Sequence, residues 1–114
     1  MEKMSAALSS MGVPAENTTF DGKASEYITY VLTDETPKVY GDDIDQLEVA
    51  SFYVHVFTPN NPRSLVTKTR RALRKAGFNI ENTVYQWERD TRLHHATISA
   101  GMEQFTDAEN NEGD

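Results

Sequence analysis

The run Val49 to Phe57, VASFYVHVF, limits what this chain can fold into more than any other stretch. Ala50, Phe52, Val54 and Val56 are apolar, while Ser51, Tyr53 and His55 between them are mixed, the period-two signature of a strand with one buried face. A single strand cannot bury that face alone. It requires neighbouring strands and a covering layer, and the rest of the sequence has to supply both.

The flanking segments supply them. YITYVLT, Tyr27 to Thr33, alternates and is rich in aromatic and β-branched residues, which predicts a strand pairing with Val49–Phe57. After the central strand comes the best-defined helix. Asn61 is placed to cap it, Pro62 fits its first position, Leu65, Val66, Thr69, Ala72, Leu73 and Ala76 form one stripe, and Gly77 ends it. Phe78 is placed to fold back on the last turn. Val84, Tyr85 and Trp87 open another strand, Asp90-Thr91 makes a turn, and Leu93 to Met102 returns. In that return, Ala96, Ile98, Ala100 and Met102 share one face, and His95, Thr97 and Ser99 the other.

At the N-terminus, Met1, Met4, Leu8 and Met11 are spaced three and four apart, predicting a short amphipathic helix over residues 2–11 closed by Gly12. Val13-Pro14 stops it. Thr18 to Phe20 is expected to form a short edge strand, with Asp21-Gly22 a turn. The acidic connection of residues 34–48, DETPKVYGDDIDQLE, fits either an irregular loop or the flexible tip of an extended hairpin. The expectation is therefore an α+β fold: an antiparallel sheet of about four strands, covered on one face by two helices, with a long acidic inter-strand loop.

With 114 residues, 38% of them hydrophobic, the chain has the material for one modest core, so residues 1–103 are expected to form a single domain. Residues 104–114 continue a stretch with five acids and no base from Glu103 onward, and are expected to be a disordered tail. There is no cysteine, so disulfides, thiolate metal sites and cysteine nucleophiles are excluded. No apolar run approaches the roughly 20 residues of a membrane span, and the first residues are too polar for a secretory signal; a soluble protein with no membrane partner is expected.

The net charge of -7 is unevenly spread. Glu16 to Glu48 holds nine acids and two lysines, whereas Arg63 to Lys75 holds six bases and no acid. The basic stretch is either the solvated side of an ordinary helix or a nucleic-acid face, and the second reading needs Tyr53, Phe57 or Trp87 exposed beside it as stacking platforms. His55, His94 and His95 are the candidates for base chemistry near neutral pH. Adjacent on a strand, His94 and His95 point to opposite faces; His55 and His95 share a face if their strands neighbour, which gives two imidazoles and no third ligand. Asp42, Asp43 and Asp45 lack calcium-loop spacing, and neither a G-x-S-x-G elbow nor a Gly-rich phosphate loop is present. No catalytic, cofactor or metal residues are assigned.

Four stretches in sequence order carry a resemblance: YITYVL, then VYGDDIDQLEVASFYVHVFT, then the helix ending LRKAGF, then VYQWERDTRLHHATIS. In order and length they resemble the tail-completion or tail-terminator proteins of long-tailed bacteriophages, over about Glu26 to Met102. The resemblance extends to Asp90, Thr91 and His95 in the last hairpin. It implies a structural virion protein without enzymatic activity or cofactor, made in the host cytoplasm. The implied form is a homo-oligomeric ring, typically a hexamer, that caps the tail tube protein and docks the head-tail connector while DNA passes through its channel without specific binding. Another neck or minor tail protein, or a small nucleic-acid-binding module using helix 63–75, is the alternative. Opposite charge suggests that Asp42, Asp43, Asp45 and Glu48 of one subunit meet Arg70, Arg71 and Arg74 of the next. An acidic channel wall would repel phosphate, so the six helix bases are expected to face outward or into subunit contacts.

Overall fold

A computed structural model describes residues 2–22, 24–38 and 47–105 of the chain. Its elements run α1 (Glu2–Leu8), β1 (Ala15–Asn17), β2 (Tyr27–Lys38), β3 (Leu47–Thr58), α2 (Pro62–Lys75), β4 (Asn79–Glu88) and β5 (Leu93–Phe105). The strands form one sheet in the order β1-β2-β3-β5-β4. The run at Val49–Phe57 lies in β3 at its centre, hydrogen-bonded to β2 on one side and β5 on the other.

The alternation read from the sequence sets the layers. Ala50, Phe52, Val54 and Val56 of β3 lie beside Ala96, Ile98, Ala100 and Met102 of β5 and Ile28 and Tyr30 of β2, all buried on one face. α2 covers that face with Leu65, Val66, Thr69 and Leu73, while Ala72 is half-buried and Ala76, expected in the stripe, is exposed. Thr69 is buried without penalty because its hydroxyl donates to the Leu65 carbonyl one turn back, at 2.8 Å. α1 packs on α2 and adds Met4 and Leu8 to the same core, and Met11 joins them from the turn that follows.

The ends of α2 follow the chemistry of its caps. Asn61 Oδ1 accepts from the Arg63 amide at 3.0 Å, and Pro62 begins the helix. Gly77 takes φ 101°, its amide donating to the Arg74 carbonyl and that of Phe78 to the Leu73 carbonyl. This left-handed closure returns Phe78 to the core, edge-on to Phe52 with ring centroids 5.8 Å apart.

Three expectations are corrected and one open alternative is narrowed. The sheet has five strands and is mixed, because the N-terminal strand pairs parallel with β2. That strand is Ala15–Asn17, not Thr18–Phe20: Asn17 lies opposite Tyr30, and Thr18 then takes φ 71°, which turns the chain out of the ladder. The first helix stops at Leu8 and not at residue 11; a turn closed by the Met11 amide on the Leu8 carbonyl still carries Met11 into the core before Gly12, at φ 83°. Of the two readings of the acidic connection, the described residues agree with the extended hairpin. β2 continues through Lys38 and β3 begins at Leu47, with a bulge between Leu32 and Asp34 that keeps the ladder in step. Residues 39–46, with Asp42, Asp43 and Asp45, lie outside the described residues.

In the C-terminal hairpin β4 starts five residues before the expected Val84, with a register shift between Ile80 and Asn82. The turn at Arg89–Arg92 is held by Thr91 Oγ1 donating to Glu88 Oε1 at 2.9 Å and by the Arg92 amide on the Glu88 carbonyl. β5 carries on through Gln104 and Phe105, the first two residues of the expected tail; residues 106–114 lie outside the described residues.

Candidate functional site

Both helices lie on one side of the sheet, so the opposite face carries the odd-numbered side chains of β3 and β5 without a helical cover. Across it run Tyr27 and Thr29 of β2, Tyr53, His55 and Phe57 of β3, His95, Thr97 and Ser99 of β5, and Val84 and Gln86 of β4. Phe20, Tyr27, Phe57 and His95 stack in series, with successive ring centroids 4.4, 4.6 and 4.3 Å apart. Aromatic side chains paired directly across strands stabilise a sheet, and this ladder spans it from β2 to β5.

The same face brings His55 and His95 together, as their shared parity predicts. His55 Nδ1 lies 2.8 Å from His95 Nε2, and His95 Nδ1 lies 2.9 Å from Glu88 Oε2. The carboxylate accepts from Nδ1–H of His95, so in the neutral ring Nε2 is the acceptor and His55 Nδ1–H donates to it. Thr97 Oγ1 sits 3.2 Å from His55 Nδ1 and 3.4 Å from His95 Nε2. Burial holds the His55 imidazole below its ordinary value, with the adjacent His95 acting in the same direction and Glu88 opposing. Burial raises the Tyr27 phenol, and Glu88 adds to the effect.

This chain can hold one extra proton between the two rings without breaking a hydrogen bond. A second would set two N–H groups facing each other. Around it lies a shallow open depression of about 460 Å³ lined by Tyr53, His55, Val84, Gln86, His95 and Thr97 among others. Among the described residues no group of three or more His, Cys, Asp or Glu side chains is placed to hold a metal ion. His94, on the other face, packs against Trp87 at 4.8 Å, so the two adjacent histidines do diverge.

Of the residues expected at a subunit contact, Glu48 and the three arginines lie among the described residues. Arg70, Arg71 and Arg74 line, with Thr67, a cleft of about 280 Å³ on the outer side of α2. Arg70 is half-buried, and its Nε lacks a hydrogen-bond partner among the described residues. Glu48 lies at the start of β3, where its carboxylate accepts from Gln104 Nε2 at 3.0 Å. The three aromatics considered as base platforms do not form one surface beside α2. Tyr53 and Phe57 are on the open face behind it, Phe57 sandwiched between Tyr27 and His95, and only Trp87 is exposed on the helix side.

Two features escaped the sequence reading. Glu88 joins His95 only through the hairpin register, which sets Gln86 opposite His95 and so Glu88 diagonal to it. Glu26 closes the base of the fold, accepting from Thr58 Oγ1 at 2.6 Å and Asn60 Nδ2 at 3.3 Å. A lone buried threonine at the end of an apolar strand was the available signal for the second.

No family model and no curated protein sequence matches this chain. A solved structure shares its fold. One chain of a structure described as the virion of a native gene transfer agent particle superposes with a TM-score of 0.57 at 12% identity, covering 90% of this chain and 84% of that one. At that identity the likeness is one of fold.

Proposed function

We propose that this chain is a structural protein of a phage-like virion, a tail terminator or completion protein that assembles as a ring, caps the tail tube and joins it to the head. The observation that carries the reading is the fold shared, over nearly the whole of both chains, with a protein in a gene transfer agent virion. The resemblance of the strand, helix and hairpin segments to tail-terminator proteins supports the finer assignment. The role is one of contact, without catalysis or cofactor.

In this reading six copies form the ring, with tube protein on one side and head-tail connector on the other. The acidic residues Asp42, Asp43, Asp45 and Glu48 of one copy meet Arg70, Arg71 and Arg74 of the next, and charge selects the register more than it adds affinity. The position of those arginines on the outer side of α2 suits a contact between copies. DNA passes a channel wall whose acidic character keeps phosphate from adhering.

The test is electron microscopy of the purified protein mixed with tubes of its own tail-tube subunit. Ring density at one tube end, with tube growth arrested, is expected. Tubes that grow unchanged with bare ends refute the terminator role, and binding to isolated head connectors instead assigns the chain to the neck.

A further inference from the structure

The sheet ends in two free edges of different character. Among the described residues β4 is bonded on one side only, to β5, and it carries three of the four large apolar side chains that the described surface exposes: Val84, Tyr85 and Trp87, at 49%, 47% and 53%. Proline and lysine, the usual guards of an exposed edge, are missing from its sequence NIENTVYQWE. At the other side, β1 covers β2 only at Ile28, Thr29 and Tyr30. Thr18 then turns away, so among the described residues nothing pairs with the outer edge of β2 from Val31 onward.

We propose that copies of this chain join edge to edge, β4 of one pairing antiparallel with the Val31–Thr36 stretch of β2 in the next, so that one sheet runs through the assembly. The proposal rests on the assembly reading above and specifies which surfaces meet.

Three independent features favour this occupant. The first is direction. β2, β3, β5 and β4 alternate along the sheet, so β4 runs opposite to β2, and a neighbour placed alongside without turning over presents its β2 antiparallel to β4 with both cores on the same side.

The second is fit. Side chains must keep to their own face, and the incoming β4 must clear β1, which ends opposite Tyr30. Glu88 then lies against Val31, Trp87 against half-buried Leu32 and Tyr85 against Glu35, an offset of about six residue rows, or roughly 20 Å. Four strands about 4.8 Å apart separate one joint from the next, so this offset tilts the strands by about 45°, at the upper end of the roughly 35–45° at which sheets close on themselves. Pro37, lacking an amide hydrogen, ends the ladder.

The third is charge. The same register sets the basic turn with Arg89 and Arg92 end-on to β1 and its exposed Glu16. Unlike edges meeting head to tail form a heterologous contact, which closes into a ring when the rotation permits.

Because the chain has no cysteine, disulfide trapping reads the contact directly. Trp87→Cys is combined in turn with Leu32→Cys, Thr33→Cys, Asp34→Cys, Glu35→Cys and Thr36→Cys, oxidised at high protein concentration, and run on non-reducing gels beside native mass spectrometry of the unmodified protein. A ladder of covalent multimers, strongest for the pair with Leu32→Cys and absent when either cysteine is present alone, is expected. If no pair cross-links, the edge pairing is overturned whether the protein is monomeric or assembled. If the unmodified protein nevertheless forms a closed oligomer, the ring reading stands and its copies meet through other surfaces.

Discussion

Acidification from about pH 7.5 to about pH 5.5 challenges the chain Glu88–His95–His55, because histidine is the side chain that ordinarily changes charge in this window. Burial and His95 hold His55 below its ordinary 6.5. As the pH falls through that ordinary value, the unfolded chain therefore takes up a proton before the folded one. Stability is full above about pH 6.5, falls as the pH drops toward the lowered folded value, and levels off beneath it. The magnitude follows from geometry. The two rings are 5.0 Å apart, and two unit charges at that separation repel by about 3 kcal/mol at an effective dielectric near 20. His55 is only half-buried, so solvent screening reduces that figure, and linkage caps the contribution of one such group between pH 7.5 and 5.5 at about 1.4 kcal/mol. Urea unfolding at several pH values measures it, in wild type and in His55→Phe, which keeps a ring on the strand but removes the titrating partner. Wild type is expected to lose about 1 kcal/mol more than the variant over the window. Equal slopes in the two proteins would show that the fold does not hold His55 below its ordinary value, and the electrostatic account of the open face would fail.

Two further perturbations probe how α2 is seated. Leu73→Ala removes a fully buried side chain from the helix–sheet contact and is expected to cost about 3–4 kcal/mol in urea unfolding, so a loss below about 1 kcal/mol would contradict its place in the core. Gly77→Ala imposes a Cβ on φ 101° and brings it to 3.4 Å from Met102 Cε; a loss of about 1–2 kcal/mol is expected by thermal unfolding, and an unchanged melting temperature would mean that the helix does not close through this residue.

Local chemistry made much of this fold legible in the sequence. The central strand, the partition of β5 into a core face and a histidine-bearing face, and the start and stop of α2 each follow from spacing and capping within a few residues. The divergence of His94 and His95 and the meeting of His55 with His95 follow from strand parity, because side chains alternate whatever the tertiary context. What the sequence could not set was anything decided by pairing at a distance. Ala15–Asn17 is a strand because Ile28–Tyr30 offers it a parallel edge, and its own residues carry no strong strand preference. The polar residues Asp34 to Lys38 extend β2 because β3 is already paired beside them, with the bulge at Leu32/Asp34 restoring register. Glu88 reaches His95 only across a hairpin whose register is fixed by its turn. Above all, which edges of the sheet stay open is a property of the finished strand order: among the described residues β4 pairs on one side only, because β5 alone lies next to it.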